Sequence, residues 1–306
     1  MDRVLSKVCP SLSVSMMQKC MRFKQIKVNG KAVKPDARLS AGDEVKLFIA
    51  DEYFVAPKQV DALLSKFRPH ITVVYEDEQI LLVDKKPGIM VHPDEKEKVN
   101  TLVTHVRAYL YQKGTYDSQE KGAFAPTPVN RIDRFTGGIV IFAKTKQAMD
   151  ALNKKIRDHE VDKLYVLIAC GRMRRAEGTI DNYIVKGEKH VSVSRNNVPG
   201  GQRAVTHYQV LTQREGLSLV QCRLVTGRTH QIRAQFADMG NPLLGDQQYG
   251  NRDLNRRYGR EQQVLYACGI TFAFESDAGV LAYLSGKTFR VRNVPFVEEY
   301  FQGHLI

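Results

Sequence analysis

The stretch Pro128-Val-Asn-Arg131-Ile-Asp133-Arg134-Phe-Thr136-Gly-Gly138-Ile-Val-Ile-Phe-Ala-Lys144 decides how this chain is read. Ile139 to Ala143 is a short apolar run rich in β-branched residues, the pattern of a buried strand. Gly137-Gly138 ahead of it permits a sharp turn, because glycine tolerates positive φ. Asp133 stands just before that turn, between Arg131 and Arg134. Neighbouring cations favour the ionised form of a carboxylate, so an acid placed there serves as a base or nucleophile at neutral pH. An isolated Arg-x-Asp-Arg is more often a turn cap between solvated arginines, so the rest of the chain must decide between the two.

Working outward, 306 residues are enough for one large domain or two smaller ones, and a hydrophobic share of 43% suits a globular chain. No apolar run approaches the roughly 20 residues that cross a bilayer, and the first residues lack an apolar signal core. The five cysteines (Cys9, Cys20, Cys170, Cys222 and Cys268) are dispersed, without a Cys-x-x-Cys pair. Such a set implies reduced thiols in a cytoplasmic protein and gives no zinc spacing. Gly286-Lys-Thr288 fails as a phosphate loop, because the first glycine it needs would stand where Leu281 does. The net charge of +13 and pI near 9.5 point to a polyanionic partner, of which nucleic acid is the usual one. Residues 1–50 hold ten Lys/Arg against four Asp/Glu, nearly half of the excess in a sixth of the chain.

That basic segment reads as a small α/β module. Ser13 is placed to cap a helix carrying Met16, Met17, Cys20 and Met21. Ile26 to Val33 alternates around Asn29-Gly30, a strong hairpin signal, and Val45 to Ile49 supplies a final strand. Residues 51–70, bracketed by Pro57 and Pro69, show no clear period and are expected to be a linker. Two strands follow, Ile71–Tyr75 and Ile80–Asp84, then a helix over 99–112. After the central strand, Thr145 caps a helix whose apolar stripe is Ala148, Met149, Leu152 and Ile156, with Lys154, Lys155 and Arg157 expected outward. Lys163 to Ala169 and the alternating runs around Gly216 are strands. Thr229 is expected to cap a helix through Ile232, Phe236 and Met239.

These residues resemble a known family. Asn130-Arg131-Ile-Asp133-Arg-Phe-Thr136-Gly-Gly138 resembles the catalytic motif of the RluA family of pseudouridine synthases, roughly His-Arg-Leu-Asp-x-x-Thr-Ser-Gly. Asn130, Ile132 and Gly137 depart from it and leave the Asp in place. Lys85 to Pro93 resembles the family's first motif, which is largely structural, and Lys163-Leu-Tyr165 another. Gly227-Arg228-Thr-His230-Gln-Ile-Arg233, continued by Gly245-Asp246 and Tyr249-Gly250, resembles the last. Lys27-Val-Asn-Gly-Lys31 and Ala41-Gly-Asp43 resemble the S4 RNA-binding domain.

The resemblance implies an α+β chain: a small S4-like α/β domain over 1–50, a linker over 51–70, and a mixed, largely antiparallel-sheet pseudouridine synthase domain over 71–306. It implies isomerisation of uridine in structured RNA, large-subunit (23S) ribosomal RNA before transfer RNA, by a monomer needing no cofactor or metal. Asp133 is the implied catalytic carboxylate and Arg233 its partner. Tyr165 would stack on the extruded base and Arg131 would fill the vacated space, while Arg228 and His230 are implied substrate contacts. Arg3, Lys7, Lys19, Arg22, Lys24 and Lys27 are the implied grip on RNA phosphates. Two other readings remain open: a non-catalytic RNA-binding protein, and a glycoside hydrolase-like enzyme, which needs a second carboxylate that the motifs do not supply.

Overall fold

The computed structural model describes residues 2–302 except 10, 11, 13, 35, 36, 50–53, 55, 56, 120–122, 188 and 189, and except the side chains of 2, 3, 6, 14, 15 and 57–59. The cap proposed at Ser13 and the Arg3 side chain therefore lie outside the described residues. The chain divides into two compact units, Met1–Pro69 with His105–Ala125, and His70–Thr104 with Pro126–Ile306.

In the first unit, α1 (Asp2–Val8) and α2 (Val14–Arg22) precede β1 (Ile26–Val28), β2 (Lys31–Ala32) and β3 (Val45–Leu47). The strands form an antiparallel sheet in the order β2-β1-β3. Asn29 and Gly30 take φ values of 49° and 77°, and two consecutive positive φ values match the twist of the flanking strands. Asn29 also ties this hairpin to the next turn: its Nδ2 donates to Asp43 Oδ1 (2.8 Å) and its Oδ1 accepts from the Glu44 N–H (2.9 Å). Leu5, Met17, Cys20, Met21 and Ile26 form the core, with Val45 and Leu47 packed against it.

The expected linker contains a helix, α3 (Pro57–Lys66). Its buried positions, Asp61 and Leu64, include a carboxylate that accepts from Ser118 Oγ and Gln119 Nε2. Gln112, at the end of α4 (Leu102–Gln112), donates to the carbonyls of Leu64 (2.8 Å) and Phe67 (2.6 Å). Val60, Leu63, Leu64 and Phe67 stand at helical spacing, an amphipathic period that the linker expectation passed over, and the partners that fix the helix lie some fifty residues away.

The second unit is built on one sheet of β4 (Thr72–Glu76), β5 (Ile80–Lys85), β6 (Thr127–Pro128), β7 (Gly137–Ala143), β8 (Val161–Cys170), β9 (Glu177–Lys186), β10 (Val191–Ser194), β11 (Gly201–Arg214), β12 (Leu217–Leu224), β13 (Leu265–Phe272) and β14 (Thr288–Arg290). Its main path is β10-β9-β11-β12-β8-β13-β7-β5-β4, with β14 on β13 and β6 on β7. Every pairing is antiparallel except β13 with β7, giving the mixed, largely antiparallel α+β architecture. The helices are α5 (Lys146–Arg157), α6 (Gln231–Asp238), α7 (Arg252–Arg257) and α8 (Pro295–Tyr300). Thr145 caps α5 as expected, its hydroxyl accepting from the Ala148 N–H. Among the described residues no helix is long and apolar enough to cross a membrane.

All seven residues of β7 are buried. The double glycine belongs to this strand rather than to the turn before it, for a steric reason. A Cβ on Gly138 would lie 2.2 Å from the Ala267 carbonyl of β13, and one on Gly137 would lie 2.3 Å from the Tyr266 ring. The glycines let β13 come in parallel beside β7. Lys155, expected outward, is instead fully buried on α5; its ammonium donates to Glu160 (2.6 Å) and to the Ser276 carbonyl and hydroxyl (2.6 and 2.7 Å).

Candidate active site

Asp133 sits in the loop that enters β7, and that loop is fastened at three places. Asn130 Oδ1 accepts from the Ile141 N–H of β7 (2.7 Å), so its side chain acts as an extra backbone partner for the strand. The Asp133 carbonyl accepts from the Thr136 N–H (3.1 Å), closing a turn. The third fastening is Lys85, at the end of β5 and 1% exposed. Its ammonium donates to the carbonyls of Lys86 (3.2 Å), Ile89 (2.9 Å) and Arg134 (2.9 Å), one for each N–H it carries. Burial lowers the pKa of Lys85 to about 7, against the opposing pull of the Asp133 and Asp84 carboxylates. The Gly88 N–H also donates to the Arg134 carbonyl (2.9 Å), and Arg134 Nε donates back to the Gly88 carbonyl (3.0 Å). The motif around Pro87 thus clasps the loop that carries the acid.

From a distant segment, α6 brings Arg233 to the same place. The helix starts one residue later than expected: its cap is His230, in the left-handed conformation (φ 53°), not Thr229. The Gln231 side chain holds that bend, accepting from the Thr226 hydroxyl (2.8 Å) and the Arg228 N–H (3.0 Å) while donating to the Val205 carbonyl (3.1 Å). Arg233 Nη1 donates to Asp133 Oδ2 at 3.0 Å. Its other face is gripped by Asp246: Nε donates to Oδ2 (2.6 Å) and Nη2 to Oδ1 (2.9 Å). A planar fork meeting a carboxylate in this way is the strong form of the pair. Burial alone would raise the Asp246 pKa, but Arg233 and the Gln248 and Tyr249 N–H groups hold it below the usual carboxylate range.

His230 Nε2 lies 3.8 Å from Asp133 Oδ2, and its Nδ1 is hydrogen-bonded to the Tyr249 hydroxyl (3.0 Å). Burial pushes the imidazole pKa below its usual value; Asp133 opposes this and Arg233 reinforces it. The Tyr249 hydroxyl accepts from the Val191 N–H at the start of β10 (3.1 Å), and the Tyr249 ring lies 5.2 Å from the Arg233 guanidinium carbon.

These groups line a cleft of about 480 Å³, whose wall includes Arg131, Asp133, Lys163, Tyr165, Arg228 and His230. Arg131 is exposed at its edge. Tyr165 on β8 is buried, and burial together with Asp133 pushes its phenol well above the usual range. Arg228 is exposed, its Nε donating to the Arg203 carbonyl (3.1 Å). Lys163 is partly buried, which lowers its pKa. The Asp133 side chain is 28% exposed, so the carboxylate is open to a ligand while its partner Arg233 is not. The cleft therefore presents one accessible acid, an aromatic wall and several cations. The structure brings together Asp133, Arg131, Tyr165, Arg228, His230 and Arg233.

The family model described as RNA pseudouridylate synthase matches residues 79–238, more than half of the chain. The chain belongs to the RluA family of RNA pseudouridine synthases. Its similarity extends beyond the matched core. It is 33% identical over 254 residues to the uncharacterized RNA pseudouridine synthase YlyB of Bacillus subtilis, covering 82% of this chain and 79% of that one. It is 35% identical over 228 residues to ribosomal large subunit pseudouridine synthase D of Zymomonas mobilis, covering 71% and 67%. The fold is that of human RNA pseudouridylate synthase domain containing 4, with a TM-score of 0.59, 19% identity, and coverage of 78% of this chain and 94% of the other. As an RNA pseudouridine synthase, this protein isomerises uridine in RNA.

Within this synthase, three contributors to the site escape a reading of the sequence. Lys85 and Tyr249 stand in the quoted motifs with nothing to mark them as anchors. Asp246 carries a clearer signal, a carboxylate thirteen residues beyond Arg233 in Gly245-Asp246, but its pairing with that arginine needs the fold. In the N-terminal unit the structure leaves Lys7, Lys19, Arg22 and Lys24 exposed and Lys27 half-buried.

Proposed function

We propose that this enzyme makes pseudouridine in large-subunit ribosomal RNA, with Asp133 as the catalytic carboxylate acting at the ribose of a uridine drawn out of its stack. The observation that carries the reading is the accessible Asp133 carboxylate held 3.0 Å from the buried Arg233, inside a cleft walled by Tyr165. Relatives named ribosomal large subunit pseudouridine synthase D support the choice of RNA.

In the reaction the C1′–N1 bond breaks, the uracil turns over, and a C1′–C5 bond forms as the C5 proton leaves to solvent and N1 takes up a proton in exchange. Asp133 engages the sugar during this exchange, and Arg233 keeps its carboxylate aimed. Extruding the base costs a few kcal/mol. Tyr165 recovers part of that by offering its ring to the uracil, and Arg131, at the cleft edge, fills the gap left in the RNA. Arg228, with His230 on the same cleft wall, meets the flanking backbone, where each phosphate contact adds salt-sensitive affinity. The exposed Lys7, Lys19, Arg22 and Lys24, with Lys27 and Arg3, make residues 1–50 an S4-like grip on the same RNA.

Mapping pseudouridine in ribosomal and transfer RNA from cells with and without this protein tests the substrate. Loss of one or more sites in the large-subunit RNA is expected; loss confined to transfer RNA overturns the assignment. For the grip, replacing Lys19 and Arg22 with alanine should reduce the slope of log affinity against log salt by roughly 1.5. An unchanged slope would remove those residues from RNA binding.

A further inference from the structure

The three-stranded sheet of the N-terminal unit has one packed face and one open face. Ile26, opposite Leu47 in the register, turns into the core with Leu47 and Val45. Strand alternation sends the intervening residues the other way. Lys27 lies opposite Lys46 on β3 and opposite Ala32 on β2. The Phe48 N–H donates to the Gln25 carbonyl (2.7 Å), so the pairing of β1 and β3 runs one step further and sets Phe48 on the same open face. The residue is 57% exposed, and Lys27 Nζ lies 5.3 Å from the ring centroid. Lys46 is also exposed, with a solvent-facing contact to Glu44 at 3.3 Å. Phe23, 65% exposed, and Lys24 stand at the turn that leads into β1.

A phenylalanine ring on the open face, set beside the Lys27–Lys46 pair in a segment with six excess positive charges, is matched to a particular ligand chemistry. The cations suit phosphates, and the ring suits the flat face of a nucleobase. A base inside a duplex has both faces occupied, so the ring can engage only an unpaired one. We propose that this open sheet face is a stacking platform for an unpaired nucleotide of the RNA substrate, with Phe48 as the platform and Lys27 and Lys46 on the flanking phosphates. The proposal rests on the reading of residues 1–50 as an RNA grip and adds to it a second surface, separate from Lys19 and Arg22 on α2, that reads single-strandedness rather than charge.

The test is fluorescence anisotropy of the full chain at fixed salt with two labelled probes: a blunt RNA duplex with a three-nucleotide bulge, and the same duplex fully paired. Phe48→Leu should weaken binding of the bulged probe about tenfold and leave the paired probe unchanged. Phe48→Tyr, which keeps a ring, should bind both as the wild type does. Lys19→Ala with Arg22→Ala should weaken both probes alike. If the double variant loses affinity and Phe48→Leu does not, or loses it equally on both probes, the stacking platform is wrong and the RNA grip stands. If neither variant changes binding, both ideas fall.

Discussion

Replacing Asp246 with asparagine isolates the part of the site that holds Arg233. The side chain keeps its shape, and one oxygen still meets Arg233 Nη2 and the N–H groups of Gln248 and Tyr249, which lie 2.9 and 3.0 Å from Oδ1. The other oxygen becomes an amide nitrogen facing Arg233 Nε, 2.6 Å away in the native pair, so a donor meets a donor. A buried guanidinium then retains only the Asp133 contact as a full counter-charge. Removing one partner of a buried pair costs about 3–5 kcal/mol. Because Asp133 and one oxygen remain, the loss should fall near 3 kcal/mol, read as a shift in urea unfolding with an unchanged m value. The guanidinium will also turn toward Asp133, and a displacement on the order of 1 Å at a reacting group can lower turnover about a hundredfold. Tritium release from 5-labelled uridine under saturating RNA measures that term separately, as a fall in kcat with little change in KM. If stability moves by less than about 0.5 kcal/mol and kcat by less than twofold, Asp246 does not position Arg233, and the described electrostatics of the site are wrong.

Gly138→Ala should cost at least about 3 kcal/mol by denaturant unfolding, because its Cβ has no room against the Ala267 carbonyl and its φ of 112° is unfavourable for alanine; a cost under about 1 kcal/mol would contradict the close β7–β13 approach. Lys85 offers a test by pH. Its pKa is about 7 when buried and 10.5 when unfolded, so between these values the unfolded chain holds a proton that the folded one has shed. The contribution of Lys85 to stability should therefore fall as pH drops from 10.5 towards 7 and level off below. Lys85→Met should remove that contribution, so that the difference in stability between wild type and variant changes with pH across this window in a series of urea titrations; a difference that is constant with pH would mean that Lys85 is not a titrating group.

The sequence spoke clearly wherever the determinants are local. The Asn29-Gly30 hairpin, the Thr145 cap and the apolar run of β7 each depend on residues within a few positions of one another. The Asp133–Arg233 pair was legible for a different reason: both residues stand in recurring motifs, although a hundred positions separate them. What stayed hidden depends on partners that local periodicity does not register. Lys155 reads as a solvated lysine until Glu160 and Ser276 close around it. Helix α3 carries Val60, Leu63 and Leu64 at helical spacing, but the carboxylate on its buried side, Asp61, finds its partners in Ser118 and Gln119, far along the chain. The double glycine looked like a turn because its cause is Tyr266 and Ala267, on a strand far along the chain.

The most direct measurement is tritium release by Asp133→Asn. The substitution removes one negative charge and preserves the side chain's outline and its contact with Arg233 Nη1, so the fold and the affinity for RNA should survive. Release of tritium from 5-labelled uridine in large-subunit RNA should drop to background while anisotropy reports an RNA Kd within about threefold of the wild type. Turnover within tenfold of the wild type in a properly folded variant would take the reaction away from Asp133.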